Sequence, residues 1–283
     1  MVLLLGAFLQ RLIYTLPNFH IYLRQKHFFD NIYSAGGKIM NNGINSIIDT
    51  KNCEEICTYK IIIRKNTSDH LVFTQVLINN EYKSLIDIVS NNQKAESVKY
   101  IIDAGSNIGL TSLYFTSYYD EAKIIALEPD EHNFKVLQDN IKLNDLKNIV
   151  TINAALWNNN NDELTIDKSF RDGREWSRAV IPGNVNDSNI QLLTIMDIIN
   201  KYSWPYIDIM KMDIEGAEKF IFQDPEQVRQ FLSKIKFLAI EIHDELNIKK
   251  HILSQLAANN FELNEVGETV VGFNKSHVIS PMA

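Results

Sequence analysis

The sequence predicts an α/β protein: a doubly wound, mostly parallel seven-stranded sheet with an antiparallel C-terminal hairpin, preceded by an N-terminal helical and β appendage. Three observations predict it. From Val98 onward, apolar runs of four to six residues alternate with amphipathic segments of ten or more, the pattern of buried parallel strands wrapped by helices. The last two apolar runs, Phe261–Val266 and Thr269–Phe273, flank a Gly267-Glu268 turn, which is a hairpin signal. The chain has 283 residues, 45% of them hydrophobic and 22% charged. That is enough to pack one large domain with an appendage, and too apolar for disorder.

In chain order, residues 1–58 read as an N-terminal helical segment. Met1–Leu16 is mostly apolar, interrupted by Gln10 and Arg11, and falls short of the roughly 20 residues a membrane span needs. It lacks the basic leader and small-residue cleavage site of a secretory signal. Its continuation to about Phe29 sets Arg24, Lys26 and His27 among aromatics. That suits an amphipathic helix lying on a membrane surface, docked on the domain, or associating with a second chain. The expected location is cytoplasmic, with membrane association through this apolar helix. Residues 36–58 read as a polar connection with a short helix. Cys53 and Cys57, the two cysteines of the chain, read as semi-buried thiols of a reducing compartment.

Residues 59–98 read as a second unit in which Tyr59–Arg64 and Leu71–Ile78 pair as strands. Residues 99–283 form the sheet domain. Its strands are expected at Tyr100–Ile102, Lys123–Leu127, Ile149–Ile152, Ile207–Met212 and Phe237–Ile242. Its helices are expected near Leu110–Tyr118, His132–Asn144, Glu215–Phe222 and Pro225–Lys234.

The first strand of that domain runs into Asp103-Ala104-Gly105-Ser106-Asn107-Ile108-Gly109. Glycines there let a ligand approach the backbone, and the following helix offers unpaired N–H groups. The glycines are four apart with no middle glycine, so the dinucleotide fingerprint is absent. Asp103 beside the turn would repel a pyrophosphate and suit a cation. Glu128, which follows Gly105 by 23 positions, stands where an acid accepts ribose hydroxyls. An adenosine ligand with a positive centre is S-adenosylmethionine (SAM). Asp103, Gly105, Ser106, Asn107, Gly109, Glu128, Pro129 and Ala155 make up the expected cofactor set. A formal net charge of −7 argues against a nucleic-acid partner.

Ligands in such sheets bind outside the carboxyl ends of the strands. Asp213 falls at the end of one strand, with Lys211 on the same face at spacing two. The next strand ends at Glu241-Ile242-His243. Buried strands ending side by side in that many polar groups are hard to read as packing. Glu218 alone is most simply a helix-start acid, favoured there by the helix dipole.

These residues carry a resemblance. Asp103–Gly109, Glu128-Pro129, Lys211-Met212-Asp213-Ile214-Glu215-Gly216-Ala217-Glu218 and Glu241-Ile242-His243 resemble the FkbM family of SAM-dependent methyltransferases, which are of the class I, Rossmann-like type. Arg64–Asp69 through Gln75-Val76 and Glu81-Tyr82, and Thr194–Asp197, are similar to that family as well. The resemblance covers about residues 60–273. It implies an O-methyltransferase acting on hydroxyls of sugars, glycans or secondary metabolites, without naming the acceptor.

Methyl transfer is an in-line displacement, so positioning supplies much of its rate. A sugar hydroxyl benefits from a base within reach. His243 is the first candidate and Lys211 the second, if burial lowers its pKa, with Asp213 and Glu215 orienting acceptor or base. A divalent metal on Asp213, Glu241 and His243 is the alternative way to activate the hydroxyl. A polar loop from Trp157 to Gly183, with Arg171, Arg174, Trp176 and Arg178, either covers the acceptor or is a solvated insertion. Two other functions stay open: methylation of a protein side chain, and a non-catalytic SAM-fold binding module. The Asn/Asp-Pro-Pro-aromatic motif of nucleic-acid amine methyltransferases is absent, Lys-Met-Asp-Ile-Glu-Gly standing in its place.

Overall fold

A computed structural model describes residues 19–34, 36–42, 45–51, 58–183, 190–243 and 247–277. Cys53 and Cys57, and the apolar run of residues 1–18, lie outside the described residues.

The centre is a seven-stranded sheet. In chain order its strands are β4 (Tyr100–Ala104), β5 (Lys123–Leu127), β6 (Ile149–Ile152), β11 (Ile207–Met212), β12 (Ile235–Glu241), β13 (Phe261–Val266) and β14 (Thr269–Asn274). They lie in the order β13-β14-β12-β11-β4-β5-β6. The first five run parallel, and the hairpin adds β14 antiparallel to β12. Successive side chains of a strand face opposite ways, so each central strand feeds two cores. Ile101, Ile124, Ile209, Phe237 and Val271 pack on one face. Ile102, Ile125, Met210, Leu238 and Val270 pack on the other, under helices Ile195–Tyr202, Pro225–Leu232 and Lys249–Ala258. Their start signals hold locally: Thr194 and Asp197 form a capping box, and Asp224 caps a helix with Pro225 in its first turn.

The N-terminal third departs from expectation. Residues 36–58 were expected as a connection with a short helix; strands β1 (Lys38–Asn42) and β2 (Asn45–Asp49) occupy its first part instead. Strand β3 (Lys60–Arg64) pairs antiparallel with β2, not with Leu71–Ile78. That second run is a helix, Asp69–Phe73, continuing through a wide turn at Thr74–Ile78. Its apolar residues give the reason: Phe73, Val76 and Leu77 recur at helical spacing and all three are buried. Arg64 anchors the start through a two-pronged ion pair with Asp69, and a further bond to Asn133. The outer edge of β3 is closed by amides, since Asn140 and Asn144 exchange bonds with the backbone of Ile62 and Lys60. Those are edge groups that would otherwise invite another strand.

The expected location needs correction. No helix among the described residues is long and apolar enough to cross a membrane. In helix Phe19–Ser34, Phe28 and Ile32 are buried in the core, and the Phe28 ring meets Phe73 edge-on with centroids 5.1 Å apart. Those two side chains are spent on the domain itself.

The remaining strands are β7 (Ala154–Leu156), paired with β10 (Gln191–Leu193), and β8 (Leu164–Asp167), paired with β9 (Ala179–Pro182). They carry the Trp157–Gly183 segment out of the sheet and back.

Candidate active site

A cavity of about 300 Å³ opens at the carboxyl ends of β4, β5, β11 and β12. This is the switch point of the strand order, where a doubly wound sheet parts to admit a ligand.

One wall is the turn after β4. Gly105 and Ser106 donate their N–H groups to Leu127 O, and Asp213 donates its own to Ala104 O, so the turn is stitched to both neighbouring strands. Gly105 has φ +74, and a Cβ there would stand 1.7 Å from Asp213 O. The glycine is demanded by the approach of β11's continuation as much as by any ligand. Glu128 ties the same turn from the other side, accepting from Asn107 N at 2.8 Å and Asp130 N at 2.9 Å. Its carboxyl is pushed up to about 7, chiefly by burial. Asp130, not Glu128, caps the next helix.

Gly105, Ser106, Asn107, Glu128, Pro129 and Ala155 line the cavity. Asp103 and Gly109 do not. Asp103 is wholly buried beneath the turn, accepting from Ser112 Oγ at 2.6 Å and standing 3.4 Å from Lys211 Nζ. Its charge answers an internal lysine, not a ligand cation. Gly109 has φ +89 and begins helix Leu110–Tyr118, where a Cβ would press on Leu137. It is a packing glycine.

Lys211 is equally committed. Its Nζ donates to Gly105 O at 2.7 Å and Ala104 O at 3.2 Å, and lies 3.8 Å from Asp213. Burial works to lower its pKa, but Asp103, Asp213 and Glu81 outweigh that and the value rises. The condition for Lys211 as a base is therefore unmet, and the ammonium holds the turn.

The opposite wall is acidic. Glu81, Asp213, Glu215, Glu241 and Glu268 all line the cavity. Glu81 is raised chiefly by burial, and accepts from Gln75 and Thr269. Glu215 sits in the left-handed region at φ 52 and is likewise raised by burial. Glu241 is raised to about 9, first by Asp213 and then by burial. Arg171 reaches this wall, 3.6 Å from Glu241 and 3.9 Å from Glu215.

Behind the acids lies His243, 3% exposed and not lining the cavity. Its Nδ1 meets Glu218 Oε1 at 3.2 Å, and Glu218 also accepts from Ile214 N at 3.1 Å. Its Nε2 lies 3.2 Å from Glu215 Oε2 and 3.6 Å from Glu241 Oε1. The Glu215 contact is an ion pair, although Nε2 makes no aligned hydrogen bond among the described residues. Burial alone would lower its pKa, but Glu215 and Glu218 override it and push it up to about 11. Two observations thus count against His243 as the base: it does not face the acceptor space, and carboxylates hold its proton. Asp213, Glu241 and His243 bring three ligand atoms within 4.8 Å of one another.

Several residues at or behind the cavity were not among the expected site residues, although Gln75-Val76, Glu81-Tyr82 and the Trp157–Gly183 loop were noted in the sequence. Glu218, taken for a helix-start acid, is the buried partner of His243. Val72, Gln75, Val76, Glu81 and Tyr82 form a wall supplied from outside residues 99–283; their signal was the helical spacing of residues 69–78. The Trp157–Gly183 segment covers the cavity with Arg171, Glu175, Trp176 and Arg178. It is pinned there, since Glu175 accepts from Ser68, Asn133 donates to Glu175 O, and Trp176 N donates to Ser68 Oγ.

The sequence matches the family description "Methyltransferase FkbM domain" over residues 103–263. The methyltransferase sdnD of Sordaria araneosa is 25% identical over 194 residues, covering 58% of this chain and 74% of that protein. Among solved structures, the METTL16 MTase domain is similar with TM-score 0.43 and 13% identity, covering 69% of this chain and 65% of that one. The N-terminal domain of human METTL16 in complex with SAH gives 0.42 at 12% identity, covering 69% and 67%. The chain spans about two thirds of the length of these solved relatives, and likeness at this level carries no argument about an acceptor.

Proposed function

The chain belongs to the FkbM family of methyltransferases, and on that premise we propose that it moves a methyl group from SAM to a hydroxyl of a sugar, glycan or small metabolite. The observation that carries the reading is the division of one cavity into two chemically different walls. The turn side, with Gly105, Ser106, Asn107, Glu128, Pro129 and Ala155, presents backbone and one carboxylate, which suit a nucleoside ribose. The far side presents Glu81, Asp213, Glu215, Glu241 and Glu268. Carboxylates accept hydrogen bonds from hydroxyls and attract the cofactor's sulfonium.

In the reaction the acceptor oxygen forms a bond to the methyl carbon as the C–S bond breaks, leaving S-adenosylhomocysteine (SAH). The hydroxyl proton leaves to a carboxylate of the far wall. Glu215 suits this role best, because it lines the cavity and its carboxyl, raised chiefly by burial, is a stronger base than an exposed glutamate. Trp176 also lines the cavity, and an aromatic ring suits the face of a sugar. Holding acceptor and cofactor in line supplies most of the rate.

The test pairs binding with transfer. SAM and SAH should each raise the melting temperature, and labelled SAM should deliver its methyl group to a member of a panel of sugar nucleotides, glycans and hydroxylated metabolites. Absence of any shift overturns the cofactor assignment. Label appearing only on protein side chains overturns the hydroxyl assignment.

A further inference from the structure

We propose that Asp213, Glu241 and His243 bind one divalent metal cation in the acceptor half of the cavity. The inference rests on the methyl-transfer reading for what the ion does, but not for whether it binds.

Geometry comes first. The three ligand atoms, from the ends of adjacent strands β11 and β12, lie within 4.8 Å of one another. Ligands at roughly 2.0–2.3 Å from a shared ion stand about 3–4.5 Å apart, so side-chain rotations of a fraction of an ångström close the set.

The second observation is His243 itself. Its side chain is 1% exposed, and Nε2 lies 3.2 Å from Glu215 and 3.6 Å from Glu241 without an aligned hydrogen bond. Carboxylates that hold a buried imidazole's proton at Nε2 can hold a metal ion in its place, the proton leaving as the ion binds. The other ring nitrogen explains the orientation. Glu218 takes Nδ1, and Glu218 is fixed in turn by Ile214 N–H. A carboxylate holding one nitrogen so that the other faces a common point is how ligating histidines are oriented.

The charge agrees. Asp213, Glu215, Glu218 and Glu241 surround one imidazole, and Lys211 is already engaged by the turn carbonyls. Two carboxylates with one imidazole suit a first-row ion such as Mn²⁺, Fe²⁺, Co²⁺ or Zn²⁺ better than Mg²⁺ or Ca²⁺. Asp213 and Glu241 line the cavity, so coordination positions remain on the acceptor side. An ion there would orient a hydroxyl and make its proton easier to lose.

The test uses the full chain and Mn²⁺ alone, followed by electron paramagnetic resonance, with Co²⁺ absorption as a second probe. The expected result is one tightly held Mn²⁺ per chain. Asp213→Asn and Glu241→Gln should abolish it while the melting shift with SAH persists. Glu218→Gln, which repositions His243, should weaken Mn²⁺ binding by about 10–100-fold. The proposal falls if the wild-type chain shifts with SAH but retains neither Mn²⁺ nor Co²⁺; the sulfonium would then be the cation these acids serve. It also falls if the Asp213→Asn/Glu241→Gln double variant still binds Mn²⁺. Mn²⁺ binding without any SAH shift would leave the site standing and remove the methyl-transfer reading instead. Should the variants fail to fold, the wild-type titration decides alone.

Discussion

Lys211 and His243 are buried basic side chains at the ends of neighbouring strands, and their surroundings differ. The Lys211 ammonium has three protons, with two turn carbonyls and Asp103 to receive them. His243 has one nitrogen engaged by Glu218 and the other paired with Glu215 at 3.2 Å. The first network ends on the turn's own carbonyls and sets a shape. The second ends on Glu215 and Glu241, carboxylates that line the cavity. A buried polar network that ends on backbone carbonyls is scaffold, whereas one that ends on cavity-lining carboxylates is placed to answer a ligand.

The first network can be broken hardest at its centre. Lys211→Met leaves Asp103 fully buried without its cation, which costs about 3–5 kcal/mol. Urea unfolding should show this as a large fall in midpoint, with the melting shift for SAH lost. A midpoint near wild type would mean that the network does not hold the turn.

Gly105→Ala attacks the same turn sterically. The new Cβ would meet Asp213 O at 1.7 Å in a left-handed backbone, and the expected cost is about 2–4 kcal/mol. SAH affinity measured by calorimetry should fall with it. Unchanged affinity would separate the turn from the cofactor.

How much of this was legible follows from the same contrast. Strands β4, β5 and β11 announced themselves because a strand buried on both faces is a continuous apolar run, and the terminal hairpin because its turn is local. Asp69–Ile78 misled because Val72, Phe73 and Val76 suit strand and helix alike, and the decision came from Phe73, Val76 and Leu77 meeting the core. In the site, spacing showed which residues reach the strand ends but not which way they turn. Asp103 and Gly109 sit inside the right motif and are absorbed by packing. Glu218 looked like an ordinary helix-start acid because nothing local reveals that His243, 25 residues on, folds back to it.

Glu128 gives a smaller and pH-dependent effect. Burial raises its carboxyl to about 7, above the ordinary glutamate value. An acid raised on folding adds no instability below its unfolded pKa, costs progressively more as pH climbs toward 7, and levels off beyond. If ribose hydroxyls require the ionised form, cofactor affinity should rise as pH passes upward through 7. Between pH 6 and 8 the gain is roughly tenfold, following the ionised fraction. Calorimetric titration of SAH across that range should show it, and Glu128→Gln should flatten the profile. A wild-type profile already flat would remove Glu128 from ribose recognition.

The smallest expected effect sharpens the line between scaffold and site most cleanly. Gly109→Ala shares the left-handed backbone of Gly105, with φ +89 against +74, but its Cβ would meet the flexible tip of Leu137 at 2.6 Å, not a carbonyl. A side-chain tip can move; a backbone oxygen hydrogen-bonded into a sheet cannot. The cost should therefore be about 1–2 kcal/mol, mostly from the positive φ. Because Gly109 does not line the cavity, SAH affinity should stay within about twofold once the variant is folded, a difference under 0.5 kcal/mol. The two glycines open and close one motif, so a loss of affinity at Gly109 equal to that at Gly105 would show that the whole turn answers to the cofactor. Stability lost without affinity would confine the cofactor's demand to the first glycine.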